Sequence, residues 1–314
     1  MQLLELIRLI KANNAAGLSI NNTLLPAQAE ALIDLVVAQS EFLQSVWTIK
    51  SKKLKTPVPV MNLSERNLTR VPEGTKASDS NAVFAQSSNE GKELNLTNVD
   101  LFYDLLYSVI TNNQDDKTLV SMIELQIATM FANDLLDLAT NGTSDTYNKV
   151  YHATTNPIPM YTLAKGWVTL LKESSLSNKV NTASDADLLV SLKKAIQTMP
   201  NAYKNKQCKL IISPAQAETF NVLMGAKDSS AGIYLAGNAK TYLGYELKEN
   251  PFLPDDIIIF ANPQDLIWGV SIQDVQKAME NQVRSKCIEY TYTLPTDFEI
   301  ARDRAMVIAY PFSA

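Results

Sequence analysis

The stretch that decides the fold is residues 54–96, which begins with LKTPVPVM at 54–61 and ends with KELNL at 92–96. Both ends have the pattern of short extended segments, and the residues between them are mostly polar. A loop of this length is unusual inside a compact domain, and an isolated two-stranded ribbon is only marginally stable in water. We therefore predict that this excursion, residues 54–96, is ordered by something outside itself, most simply a neighbouring copy of the chain.

The composition of the 314-residue chain supports a large folded core and excludes some functions. Hydrophobic residues make up 46% and charged residues 19%, which favours a globular chain over a disordered one. The formal net charge of −5 argues against a protein whose main task is gripping nucleic acid. The lysines within 50–55 are a local exception, and a solvated or salt-bridged rim explains them best.

The cysteines and the N-terminus indicate the compartment. Cys208 and Cys287 lie far apart in the sequence, which predicts two buried thiols in a reducing environment. The first ten residues carry Glu5 and Arg8 inside an apolar stretch, the pattern of an amphipathic helix and not of a signal peptide. No later apolar run has the length of a membrane span. The sequence therefore predicts a soluble intracellular protein.

Helical spacing dominates on both sides of the excursion. Residues 1–47 are predicted to be helical, with Pro26 in the first turn of a helix. A longer helix is predicted at 117–141, where a broad apolar face is followed by Asn141-Gly142, a pair typical of a left-handed helix end. At 1.5 Å per residue, about 23 residues give a rod of roughly 35 Å, long enough to span a domain.

The second half of the chain mixes helices and strands without a regular βαβ alternation, which favours an α+β fold. Two helices and four strands are predicted there from apolar periodicity and from flanking prolines. They are helices at 185–199 and 214–224, buried strands at 208–212 and 256–260, and C-terminal strands at 288–294 and 306–310.

The chain offers little catalytic chemistry. His152 is the only histidine, and no nucleophile motif accompanies it. Residues 225–232 superficially resemble a phosphate-binding loop, but they lack the terminal Gly-Lys-Ser/Thr and follow a helix. Asp134 and Asp137 are best explained as the solvated side of the long helix, because paired acids need a pocket to be catalytic. We predict no enzyme activity, no cofactor and no metal site.

The order of these parts resembles the major capsid protein of tailed bacteriophages, which has the Hong Kong 97-like shell fold. The resemblance covers about residues 20–312 and rests on the order and spacing of several stretches. They are LLPAQAEALID at 24–34, VDLFYD at 99–104, TNGT at 140–143, KGW at 165–167, AIQTMP at 195–200, IISP at 211–214 and NPQDLIWGV at 262–270.

The resemblance implies a non-enzymatic subunit that forms hexamers and pentamers and closes an icosahedral shell around double-stranded DNA. It implies a virion protein assembled in the host cytoplasm, with no sequence-specific DNA binding and no membrane partner. Separate scaffolding and portal proteins, and in some relatives a decoration protein, are implied as partners. The residues before the first helix are too few for the scaffolding domain of some members, so a separate scaffold or a scaffolding role for residues 1–22 is implied.

The family's organisation divides the chain into five parts. They are an N-terminal arm and helix (1–50), an extended loop or E-loop (51–98), a peripheral domain with the spine helix (99–182), an axial domain (183–280) and C-terminal strands returning to the peripheral domain (281–314). The implied intersubunit contacts are Arg66, Arg70, Glu73, Lys76, Phe84 and Lys92, and the implied capsomer-centre residues are Lys227, Asp228 and Ser229. An encapsulin-like nanocompartment shell and an enzyme of unrecognised type are the alternatives.

Overall fold

The computed structural model describes residues 24–58, 73–74, 76, 92–112, 119–143, 162–185, 187–227 and 241–312. The described helices are α1 (Pro26–Gln39), α2 (Glu41–Ser45), α3 (Tyr107–Asn112), α4 (Leu119–Asn141), α5 (Trp167–Glu173), α6 (Leu188–Thr198) and α7 (Pro214–Lys227). The described strands are β1 (Trp47–Ser51), β2 (Lys55–Pro57), β3 (Glu93–Asn95), β4 (Thr97–Leu106), β5 (Asn178–Asn181), β6 (Lys209–Ile212), β7 (Thr241–Tyr242), β8 (Tyr245–Glu249), β9 (Ile258–Ala261), β10 (Leu266–Ser271), β11 (Gln276–Gln282), β12 (Cys287–Ile300) and β13 (Val307–Tyr310). This mixture confirms the predicted α+β class.

The first helix begins where the sequence predicts. Pro26 occupies the first turn of α1, where its missing N–H has no intrahelical role, and the Leu25 N–H donates to Gln28 Oε1 at 3.0 Å. The buried side of α1, including Ile33 and Leu35, packs against α4 in the main core. The predicted helix before residue 24 lies outside the described residues. Within the described ranges, no helix combines the length and the apolar character that a bilayer crossing requires.

The long helix α4 ends at Asn141, which confirms the predicted end, but the predicted left-handed cap is wrong. Gly142 does not have a positive φ, and its N–H still donates to Leu138 O at 2.8 Å. A Cβ on Gly142 would lie 2.2 Å from the carbonyl oxygen of Ala164, and Gly166 N–H donates to Gly142 O at 2.9 Å. Glycine is required here because a second backbone segment packs against the helix end.

The first sheet has the order β1-β10-β12-β11, with β4 on the other edge of β12. One pair, β1 with β10, is parallel, and the others are antiparallel. On one face, Trp268 of β10 and Phe298 of β12 pack with Trp167 of α5 in the main core, where the rings of Trp167 and Phe298 are 5.8 Å apart at 76°. The indole N–H groups are satisfied, with Trp167 donating to Ile267 O at 3.1 Å.

The second sheet has the order β5-β13-β9-β6-β8-β7 and separates two cores. Alternate side chains of its central strands enter each core: Ile259 of β9 faces the main core with Ile308 of β13, while Phe260 faces a second core under α6 and α7. The division of the chain into five parts, with C-terminal strands 281–314 returning to the peripheral domain, stays a prediction. β13 joins the second sheet because its apolar residues, Val307 to Ala309, are buried on both faces, which suits a central strand.

Candidate assembly site

The two ends of the excursion form a short ribbon whose apolar side chains are buried against the first sheet. β2 and β3 are antiparallel, with Thr56 opposite Leu94, which confirms the predicted extended ends. Leu94, Leu96 and Val58 are buried with Ile267 of β10 in a separate small cluster. The alternation of Leu94 and Leu96 with polar neighbours places both leucines on the same side of the ribbon. The root of the excursion is therefore packed onto its own subunit.

The glycine at 269 makes this packing possible. A Cβ on Gly269 would lie 2.8 Å from Leu94 Cδ1 and 3.1 Å from Leu96 Cδ2. Real Cβ atoms do not approach other atoms so closely, so the leucines would have to move if the residue had a side chain. A glycine inside an otherwise buried strand is a sequence signal for such a close approach, although the sequence does not say what approaches.

Lys92 lies at the root of the ribbon and binds two acidic side chains of its own subunit. Its Nζ donates to Asp303 Oδ1 and, at 2.7 Å, to the Ile300 carbonyl oxygen. Glu299 Oε1 is 3.7 Å from the same nitrogen. The other oxygen of Asp303 accepts from Ser174 Oγ at 2.6 Å. Lys92 therefore ties the excursion to the end of β12, and an intersubunit contact for it stays a prediction.

This cluster places two carboxylates around one ammonium. Burial raises the pKa of Glu299 above its ordinary value, and Asp303 adds to the rise, while Lys92 opposes it. The ionised form of Glu299 is therefore less favourable in the fold than in water. Glu299 therefore takes up a proton at a higher pH than a glutamate in water does.

Backbone hydrogen bonds hold the same root. Val58 N–H donates to Lys92 O at 3.0 Å, which closes the described part of the ribbon. Asn95 N–H donates to Asp297 Oδ2 at 2.7 Å, which joins β3 to the first sheet. Both ends of the excursion are thus fixed before its polar central part begins.

The other predicted contact residues fall on the excursion and on the end of α7. Glu73 and Lys76 are described and exposed. Lys227 is the last residue of α7. Arg66, Arg70, Phe84, Asp228 and Ser229 lie outside the described residues. All of these assignments stay predictions.

A second candidate surface, which the sequence analysis missed, is the outward face of β4, β12 and β11. Tyr292 of β12 and Leu105 of β4 face α4. The alternate side chains point the other way, and Phe102 in the middle of β4 is 70% exposed. The sequence did carry a signal for this surface. The strand pattern of β4 places the apolar Phe102 on the same face as its polar residues, where a solvated face would have only polar side chains.

The chemistry of the described residues fits no metal centre. Nowhere in the described ranges do three His, Cys, Asp or Glu side chains meet closely enough to hold an ion. Cys208 and Cys287 are buried free thiols, as predicted, and burial is the main cause that raises the pKa of each. For Cys287, the carboxylates of Asp104 and Glu289 raise the pKa further, which disfavours a reactive thiolate.

Solved structures of capsid shells match nearly the whole chain. A chain of the satellite phage P4 procapsid, in a structure that includes the size determination (Sid) protein, matches with a TM-score of 0.63 at 13% identity. That match covers 91% of this chain and 99% of the other. The chain has the Hong Kong 97-like capsid fold. The resemblance inferred from the sequence is thus confirmed for the fold.

Shells from other sources also match the fold of this chain. A capsid chain of an empty GTA particle matches with a TM-score of 0.58 at 9% identity, covering 88% of this chain and 90% of that one. A virus-like particle from Pyrococcus furiosus matches with a TM-score of 0.51 at 11% identity, covering 89% and 96%. No protein-family model and no curated protein matches the sequence.

Proposed function

We propose that this chain is a structural shell subunit, the major capsid protein of a tailed bacteriophage, and not an enzyme. It assembles as hexamers and pentamers into an icosahedral head. The observation that carries the proposal is the fit of 91% of the chain to a procapsid subunit that it covers almost completely. A shell subunit must bury far more surface between copies than an ordinary dimer, and this chain has a long excursion available for that purpose.

In this proposal the excursion is the E-loop, and it lies over an adjacent subunit. The fixed root at Leu94 and Lys92 supports this role. A segment whose ends are already held loses less conformational entropy when a partner orders the rest of it. The predicted contacts of its central part, from Arg66 to Phe84, would then be made with the neighbouring copy.

The rest of the chain forms the two domains and the central loop of the proposed subunit. Residues 99–182 form the peripheral domain with α4 as the spine helix, and residues 183–280 form the axial domain. The loop that begins at Lys227 and continues through Asp228 and Ser229 lies towards the capsomer centre. The C-terminal strands, residues 281–314, return to the peripheral domain, with β12 pairing in the first sheet and β13 in the second.

The proposed shell encloses double-stranded DNA without sequence-specific binding. The net charge of −5 supports enclosure over tight binding, because a closed wall confines DNA without neutralising its phosphates. Separate scaffolding and portal proteins complete the proposed assembly, which takes place in the host cytoplasm before the subunit becomes part of the virion.

A second candidate is the shell of an encapsulin-like cellular nanocompartment. The match to the Pyrococcus furiosus virus-like particle favours it, because that particle shares the fold at 11% identity. The two candidates differ in contents: a phage head holds a genome, and a nanocompartment holds protein cargo. Extraction of nucleic acid from purified particles separates them.

The proposal is tested by expressing the full chain, purifying it by size exclusion and imaging it by electron microscopy. We expect capsomers, tubes or closed shells, alone or with a co-expressed scaffolding protein. A strict monomer at all concentrations that turns over small substrates would refute the proposal.

A further inference from the structure

The outward face of the first sheet is covered at β10 by the root of the excursion, but among the described residues no helix covers the part formed by β4, β11 and the facing half of β12. Cross-strand register aligns Phe102 of β4 with Thr291 of β12, and Thr291 with Ala278 of β11. On the opposite face, Ile123 and Ile127 of α4 cover the sheet. The outward side of β4 instead leaves Phe102 70% exposed and Leu106 52% exposed. The exposed ring of Phe102 offers an apolar contact to another chain.

Acidic side chains surround the exposed phenylalanine. Asp100 and Asp104 flank Phe102 on the same side of β4, because side chains two residues apart share a face. Asp104 lies opposite Glu289, and Glu289 lies opposite Glu280 on the next strand. Lysine and arginine are absent from the outward positions of these three strands.

This row of carboxylates is unfavourable within the isolated subunit. Like charges directly opposite one another destabilise a sheet. Neighbouring basic side chains on the same face would relieve the repulsion, but the three strands supply none there. A cationic partner from elsewhere would relieve it, and the exposed ring of Phe102 would give that partner an apolar contact.

The excursion carries the complementary pattern. Residues 66–76 contain three basic side chains, Arg66, Arg70 and Lys76, and one acidic one, Glu73. In an extended segment Arg66, Leu68 and Arg70 would share one face, in the order base, apolar, base. The outward face of β4 offers Asp100, Phe102 and Asp104 at the same spacing, in the order acid, aromatic, acid. Arginine suits such a site because it pairs with carboxylates and stacks on aromatic rings.

We propose that Arg66, Leu68 and Arg70 of one subunit dock on Asp100, Phe102 and Asp104 of a neighbouring copy. The inference rests on the proposed function, since it assigns the surface that receives the E-loop. Arg66 to Arg70 lie 8 to 12 residues beyond the anchored Val58, so at ~3.3 Å per residue they can reach up to about 25–40 Å from the root. That reach is sufficient for the face of another subunit.

The test uses charge reversal on both sides in full-length chains. The acceptor variant is Asp100→Lys/Asp104→Lys, and the donor variant is Arg66→Glu/Arg70→Glu. Each alone should raise the protein concentration needed for assembly at least about tenfold, because like charges then meet across the interface. A control variant, Glu218→Lys/Asp256→Lys, makes the same change in net charge as the acceptor variant at two exposed positions and should assemble like the wild type.

Mixing the variants distinguishes contact between subunits from contact within one. An equimolar mixture of acceptor and donor variants should form mixed hexamers, because each donor meets an acceptor of opposite charge only on the other variant. A pentamer cannot alternate two variants around its ring, so hexamer formation is the readout of co-assembly. A chain carrying all four substitutions should also assemble. If that chain assembles and the mixture does not, the contact lies within one subunit and the proposal is overturned.

Folding is checked separately. The melting temperature of the acceptor variant should stay close to that of the wild type, because Asp104→Lys places a cation opposite Glu289 and so offsets the loss of the hydrogen bond that Thr293 Oγ1 donates to Asp100 Oδ1. If that variant nevertheless unfolds, Phe102→Ser serves as the second test and should keep the melting temperature while it impairs assembly. Normal assembly of the acceptor and donor variants, or of Phe102→Ser, overturns the docking proposal and leaves the shell function standing. Failure of the wild type to assemble overturns both.

Discussion

The methyl groups of Leu94 occupy the space above Gly269 that the Cβ of any other residue would need, since a Cβ there would lie 2.8 Å from Leu94 Cδ1. Leu94 belongs to the root of the excursion and Gly269 to the middle of β10. The identity of each residue is therefore restricted by the other: Leu94 leaves no room for a side chain at position 269.

Gly269→Ala should destabilise the subunit by about 1–3 kcal/mol, because the new methyl group overpacks the cluster beneath Leu94. Chemical denaturation of the monomeric subunit measures the change. Leu94→Ala alone should cost about 2–5 kcal/mol, since it leaves a cavity. The double variant should be less destabilised than the sum of the two, because the new methyl group enters that cavity. Simple additivity would show that the two residues are not coupled.

Lys92→Ala should destabilise the subunit by about 1–3 kcal/mol, because it leaves the buried carboxylate of Asp303 without its cationic partner. The same denaturation experiment measures it. Lys76→Ala, at an exposed position of the same excursion, is the matched control and should change the stability by less than about 0.5 kcal/mol. Equal stability of the two variants would show that Lys92 is not part of the root.

Glu299→Gln should stabilise the subunit at pH 7. The pKa of Glu299 is raised in the fold, so the folded state holds its proton to a higher pH than the unfolded state does. The ionised side chain therefore opposes folding above the folded-state pKa, and this penalty disappears as the pH falls below the ordinary value of 4.5. The difference in melting temperature between the variant and wild type should narrow from pH 7 to pH 4. A variant that is less stable than the wild type at pH 7, with a deficit that shrinks towards pH 4, would mean that the pKa is lowered.

Leu243→Asn should stabilise the hairpin between β7 and β8. Leu243 and Gly244 form its two-residue turn with φ of 49° and 87°, and Leu243 is 61% exposed. Asn-Gly is the preferred pair for a turn with two positive φ values, whereas leucine is strained there and gains little burial. The expected gain is about 0.5–1 kcal/mol in the free energy of unfolding. Gly244→Ala, which adds strain to the same turn, should move the stability in the opposite direction.

Much of this fold could be predicted from patterns of residues that are close together in the sequence. The apolar face of α4, the first turn at Pro26 and the extended ends of the excursion are all determined by residues close in sequence, and each was predictable. The roles of Gly142 and Gly269 were not predictable, because the segment that approaches each glycine lies far along the chain. A glycine signals that something comes close, and only the tertiary structure shows what it is.

The two candidate surfaces also differ in how far the sequence alone predicts them. An excursion that lacks a core of its own points to a partner from sequence alone. The proposed acceptor face could not be found from sequence, because Asp104, Glu289 and Glu280 come together only through the register of β4, β12 and β11. The sheet that β13 joins could not be predicted either, since an apolar strand does not specify which strands will pair with it.

Deleting residues 64–80 tests most directly the claim that the excursion joins one subunit to the next. The deletion removes the central part and leaves the root at Val58 and Lys92 in place. The melting temperature of the subunit should therefore stay within a few degrees of the wild type, while electron microscopy should show no closed shells. Normal shells from the deleted chain, or an unfolded subunit, would contradict the account.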